Sequence, residues 1–332
     1  MGPRRRLTHR VVEESVRVSH RPPQRRLLRL AARLGEVLAD RGMGPAFLLP
    51  AVLLLFIILV GPFFYTIFLG FTDLSYSTPG HDGNFVGLAN YRRLLADDPV
   101  FWHSVATTLR FVASSVSIEM VLGFGLALVL AAQVRRPRAV MPLLLVPMML
   151  APVAVGLLWK LVLQGEFGMV SYYLRKLGLI AEDTSLLGDS HLALATMVMV
   201  DIWQWTPFVT LVSLAGLLGL PRPPFEAAMM DGAGRVRIFF DITLPLMRPL
   251  LAMVLLLRTI DAFKEFDKVF LMTGGGPGIS TELLSIYVYR VNFRNWDLGY
   301  GAVCAFMVYL VVLILCKLFY NALGQAGGSK PT

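Results

Sequence analysis

Along this chain the apolar residues do not alternate with polar ones but run on in long blocks. Six blocks, near 47–71, 105–132, 139–163, 192–220, 247–271 and 299–322, are each mostly apolar over about twenty residues or more. That is the length a helix needs to cross a hydrocarbon core about 30 Å thick. Turn-forming stretches separate several of them: STPGHDGN at 77–84, VRRPR at 134–138, PRPP at 221–224 and TGGGPG at 273–278. The pattern predicts an all-α, polytopic membrane protein with six transmembrane helices. The first block is too long for a cleavable signal peptide and no small-x-small site follows it.

Charge then orients the spans. Eleven arginines fall within residues 1–46, against Glu13, Glu14, Glu36 and Asp40. With the N-terminus inside, the cytoplasmic segments and span ends hold twenty Lys and Arg and the outer ones six, so both termini are predicted in the cytoplasm. Across all 332 residues, 56% are hydrophobic and 16% charged. A soluble domain carries about a quarter charged residues, which excludes that class here. The net charge of +9 sits mainly in the tail, so it points to membrane lipid rather than to nucleic acid. Within the tail, Leu27, Leu30, Ala31, Leu34, Val37 and Leu38 recur at helical spacing, with most arginines on the other face. That pattern suits a helix lying on the anionic inner leaflet. The expected organisation is a basic tail over 1–46, a six-span domain over 47–325 containing a cytoplasmic loop at 221–246, and a short tail over 326–332. Cys304 and Cys316 lie about 18 Å apart along the last helix and cannot bridge.

The loop between spans four and five breaks the apolar pattern with EAAMMDGAGRVRIFFDITLP, residues 226–245. Pro223 and Pro224 suit a helix start, and Glu226 falls in its first turn, where a negative charge is favoured. Asp231-Gly232 interrupts the run. A second short helix carries Val236, Phe239 and Phe240 on one side, and Pro245 opens the next span. Two short helices joined at a glycine make a compact knob whose apolar face calls for either a protein partner or the lipid headgroups.

Glu226, Ala227, Ala228, Asp231, Gly232 and Ala233, followed by Ile242, Thr243, Leu244 and Pro245, resemble the cytoplasmic loop of the integral-membrane subunits of ABC importers. FDKVFLMTGGGPGIST (266–281), GLANYRRLL (87–95) and NFRNWDLGYGAV (292–303) are similar to segments of the carbohydrate, maltose-like branch, so the resemblance covers about 45–325. It implies a permease subunit of the prokaryotic inner membrane that imports sugars or polyols. It also implies a second permease, an ATPase dimer and an extracytoplasmic solute-binding protein as partners. The loop would be the coupling helix that docks on the ATPase, with Glu226 the charged contact, Gly232 the turn, and Phe239, Leu244 and Pro245 part of the same element. ATP and Mg would be bound by the partner ATPase, with no cofactor in this chain.

The residues agree with that division of labour. No G-x-x-x-x-G-K-[ST] occurs, and GGGPGIST lacks the phosphate-binding lysine. The five histidines are scattered without metal-ligand spacing, so neither a metal site nor an enzymatic role is expected.

Charges within a bilayer face a cavity or a partner. Arg258, Asp261, Lys264, Glu265, Asp267 and Lys268 crowd span five, with 258, 261, 265 and 268 on one helical face. They form either a self-paired stripe ordering the bundle or a polar wall along the substrate path. In span four, Asp201, Trp203, Gln204 and Trp205 combine aromatic faces with planar polar groups, the two supplies a carbohydrate site needs. Glu119 and Lys160 are further intramembrane candidates. An ion-coupled carrier, or a scaffold recruiting a cytoplasmic protein, would fit the same pattern of spans and loop.

Overall fold

The computed structural model describes residues 48–133 and 137–326; the basic tail and its expected interfacial helix lie outside the described residues. The chain divides into two units, residues 1–65 and 66–332. In the first, the described residues belong to helix α1 (Leu48–Leu69), apolar throughout, with no buried residue in its most apolar stretch. A helix so uniformly greasy and exposed suits hydrocarbon, not water.

The second unit is a helical bundle. Its elements are α2 (Pro99–Gln133), α3 (Pro137–Met149), α4 (Pro152–Val162), α5 (Met169–Lys176), α6 (Leu192–Leu218), α7 (Pro223–Met230), α8 (Arg235–Ile238), α9 (Leu244–Phe263), α10 (Asp267–Met272), α11 (Leu284–Tyr289) and α12 (Leu298–Ala326). Among the described residues, β structure is limited to two isolated bridges, Thr72 with Phe85 and Ser75 with Asp297. Helix α6 is the central post: thirteen of its residues are buried. It packs along α2, where a methyl group added at Gly123 would meet the Val209 side chain at 2.6 Å. The close fit at such a small residue is how membrane helices approach without a hydrophobic driving force.

Among the described residues, five helical stretches are long and apolar enough to cross a membrane: Leu48–Leu69, Pro99–Ala132, Leu192–Leu218, Arg235–Met272 and Leu298–Leu318. The third expected span is not one straight helix. It is a bent pair, Pro142–Met149 and Pro152–Val162, turned by 94°. Pro142, Pro147 and Pro152 remove successive donors, and Pro152 opens the second half. The fifth is interrupted as well. Helix α9 stops at Phe263 and Lys264–Phe266 are non-helical, so the charged positions do not continue along one face into α10. Cys304 and Cys316 are free thiols, as their separation requires.

At the end of α6 that carries Leu192, the connecting segments are tightly held. Asp98 accepts hydrogen bonds from the Tyr287 and Tyr300 hydroxyls, and its other oxygen accepts the Phe101 N–H at 2.9 Å, capping α2. Burial pushes the Asp98 carboxyl up, but these donors outweigh it and hold the group below its ordinary range. Burial and the hydrogen bond to Asp98 raise Tyr287. In the glycine-rich turn the Thr281 hydroxyl donates to the Gly276 carbonyl at 2.7 Å. A side chain at Gly275 would meet the Glu282 carboxylate at 2.7 Å, where Glu282 pairs with Arg290. These contacts hold the segment as a turn.

Candidate functional site

The loop after α6 folds into the compact knob its residues imply. Pro223 and Pro224 open α7, and Glu226 lies exposed in its first turn. The helix ends in a Schellman turn: the Ala233 N–H donates to the Ala228 carbonyl at 2.9 Å and the Gly232 N–H to Met229 at 3.1 Å. Gly232 takes φ +72°, a conformation that an L side chain enters only at a cost. Helix α8 and a π-helical turn, Phe239–Thr243, then lead directly into α9, with Pro245 in its first turn. Between the arms is a cleft of ≈190 Å³ lined by Ala228, Asp231, Ala233, Arg237, Ile238 and Asp241, among others.

The two faces of this knob differ. Ala227, Met229, Val236 and Phe240 are exposed and Met230 is 88% exposed, an apolar surface with a carboxylate at its edge. Phe239 instead turns inward, its ring 6.1 Å from Phe124 of α2. Leu244 and Pro245 are half-buried. Of the residues expected to act in coupling, Glu226, Ala227 and Gly232 are on the outer surface, and Ala228, Asp231 and Ala233 border the cleft. Phe239, Leu244 and Pro245 anchor the knob to the bundle.

The polar residues of the spans form a second cluster inside the bundle. Arg258 of α9 is 1% exposed and grips Glu119 of α2 with two parallel bonds, Nε to Oε2 at 2.7 Å and Nη2 to Oε1 at 3.0 Å. The same Nη2 donates to Asp201 of α6 at 3.1 Å. The other Asp201 oxygen accepts from Lys268 of α10 at 2.5 Å, and Lys268 reaches Glu265 at 3.0 Å. One chain of ion pairs therefore joins α2, α6, α9 and α10. The Trp205 ring lies beneath the Arg258 guanidinium, 4.7 Å from its centroid. Gln204 is one turn along from Asp201, and its amide donates to the Leu150 carbonyl at 3.3 Å, at the break between α3 and α4. Trp203 packs edge-on against Trp159 of α4, with ring centroids 5.4 Å apart.

The structure thus brings Asp201, Gln204, Trp205, Arg258 and Glu265 together and leaves three expected members out, Trp203 on Trp159 and the pair Asp261 and Lys264. Asp261 and Lys264 form their own exposed pair at 3.4 Å, because the helix ends beside them. Glu119 and Lys268 prove central to the cluster. The sequence signal for Glu119 was a lone carboxylate in an apolar run, which needs a buried partner.

Residues 119–326 match the family described as binding-protein-dependent transport system inner membrane component. The chain belongs to this family. It is therefore an inner-membrane, multi-pass transport component, and the resemblance carried by the 226–245 loop holds. The permease is 36% identical over 230 residues to the trehalose/maltose transport system permease protein MalF of Thermococcus litoralis, covering 69% of this chain and 76% of the relative. It is 34% identical over 282 residues to the sulfoquinovosyl glycerol transport system permease protein SmoG of Agrobacterium fabrum, covering 85% and 90%. Its fold is similar to a chain in the crystal structure of a bacterial ABC transporter involved in the import of the acidic polysaccharide alginate. There the TM-score is 0.76 at 20% identity, over 89% of this chain and all of that one.

Proposed function

We propose that this permease is one membrane subunit of an ATP-driven importer of sugars or polyols, and that the 226–245 knob transmits the motion of a separate ATPase dimer to the spans. The observation that carries the reading is the knob's construction. An exposed carboxylate and apolar surface on α7 are joined by a fixed glycine turn to α8, which leads without a break into α9 and is pinned to α2 through Phe239. A push on Glu226 and the methionines therefore moves α9 and α2 together.

In this reading the bent pair counts as one span, giving six, with both termini and the knob in the cytoplasm. Residues 47–325 form the permease domain, flanked by tails at 1–46 and 326–332. A second permease completes the path and a solute-binding protein delivers substrate outside. ATP and Mg are bound by the ATPase. Closure of the nucleotide-loaded ATPase draws the knobs together and opens the spans outward, and hydrolysis returns them. The sugar class is supported by the two relatives, whose names specify trehalose/maltose and sulfoquinovosyl glycerol. The substrate path is proposed to run beside Trp203 and Gln204, where α4 breaks away from α3, with Asp201, Trp205, Arg258 and Glu265 forming its charged backing and Asp261 and Lys264 at its margin.

Reconstitution tests this. Proteoliposomes holding the permease pair, ATPase and binding protein accumulate a disaccharide on adding ATP, and uptake stops when the ATPase is omitted. Uptake that persists without the ATPase and collapses with the ion gradient identifies an ion-coupled carrier; no uptake in either case identifies a scaffold.

A further inference from the structure

At the end of the bundle opposite the knob, about 40 Å along α6, lies a cavity of ≈590 Å³ between the last turn of α4, the segment before α6 and the turn after α10. Among the described residues, Lys160 is the one charged residue lining it. Among the described residues, no carboxylate lies within ion-pairing distance of Lys160. Leu157 and Leu161 of α4 line the cavity and remain exposed beside it, at 53% and 67%. Gln164, Ser185 and Thr273 add polar groups to a lining that also holds Leu163, Leu187 and Met272.

The neighbouring helix is amphipathic as well. Helix α5 starts seven residues after α4 ends. It buries Ser171 and exposes Tyr172 and Tyr173, with the Lys176 ammonium 6.0 Å from the Tyr172 ring. Tyrosine and lysine side by side on an exposed face form the belt found where hydrocarbon meets headgroups. Arg175 donates to the carbonyl of Gly165, a residue of the cavity wall, and so ties α5 to that wall.

We propose that this cavity seats the headgroup of an anionic phospholipid, with its phosphate against the Lys160 ammonium and its first acyl carbons along Leu157 and Leu161. A neutral saccharide is a poorer fit, because among the described residues no carboxylate and no aromatic ring lines the cavity to take hydroxyls and C–H faces. A lone cation between leucines and hydroxyls instead matches a molecule with an anionic head and an apolar tail, and attraction of basic residues to anionic lipid adds to burial of that tail.

Native mass spectrometry of the full chain, released from detergent with equal phosphatidylglycerol and phosphatidylcholine of the same acyl chains, reads this directly. The expected result is about fivefold preferential retention of phosphatidylglycerol. Lys160→Gln abolishes the preference, while Lys317→Gln, an exposed lysine of α12, leaves it intact. Equal retention of the two lipids, a preference that survives Lys160→Gln, or an equal loss in both variants would overturn the proposal. So would displacement of phosphatidylglycerol by millimolar inorganic phosphate, since the cavity would then be a site for free anions.

Discussion

Arg258 carries two buried carboxylates, Glu119 and Asp201, and removing one of them costs more than breaking an exposed pair nearby. Glu119→Gln leaves the guanidinium buried with half its charge compensation lost, so a destabilisation of about 3–5 kcal/mol is expected. Asp261→Ala breaks only an exposed pair, worth about 0–1 kcal/mol. Thermal unfolding of the purified protein should therefore separate the two variants clearly. Equal shifts would mean that the buried ion-pair chain does not order the bundle.

Asp98 makes a pH prediction. Its pKa in the folded protein is lowered, so its carboxylate adds stability above the unfolded value and loses it as the pH falls through the folded one. The stability gap between the native protein and Asp98→Asn should be full at about pH 5 and narrow below about pH 4. A gap independent of pH across that window would show that the tyrosine hydroxyls do not favour the charged form. At this scale the sequence was informative about which residues need partners and silent on which they find. Glu119 and Asp201 could be singled out as charges in apolar runs, but their shared partner Arg258 is 139 and 57 positions away. No local pattern encodes that.

Among the elements, the knob was the most legible, because its instructions are local. Prolines set the start of α7 and glycine its end, and Pro245 lies where α9 begins, as read from the residues alone. The same locality makes Gly232 testable. Gly232→Ala forces a side chain into the left-handed region at about 1–2 kcal/mol. Gly232→Pro also removes the donor to Met229. Amide hydrogen exchange should quicken across 223–243 in both, more in the proline variant, with α6 protected as before. Unchanged exchange in the knob would show that the turn does not fix the two arms. The interrupted spans were less legible. Hydrophobic length is blind to a 94° bend, and three prolines in the third block were the available sign of it. The break after Phe263 has no proline, and it changes which charges share a face.

For the whole molecule, apolar blocks and loop charge yield the architecture and family resemblance yields the machine. The structure adds a mechanical connection between them. Ion pairs bind α2, α6, α9 and α10 into one block, Gln204 reaches from that block to the broken third span, and the knob is fastened to it through Phe239. Under the proposed coupling role, a force on the exposed surface of the knob would move this block as a unit. The most direct measurement is the ratio of solute taken up to ATP hydrolysed in proteoliposomes carrying Glu226→Lys in this subunit. The account predicts hydrolysis that continues while uptake falls at least tenfold, corresponding to a loss of about 1.4 kcal/mol or more in coupling. An unchanged ratio, with the variant fully inserted and assembled, would contradict it.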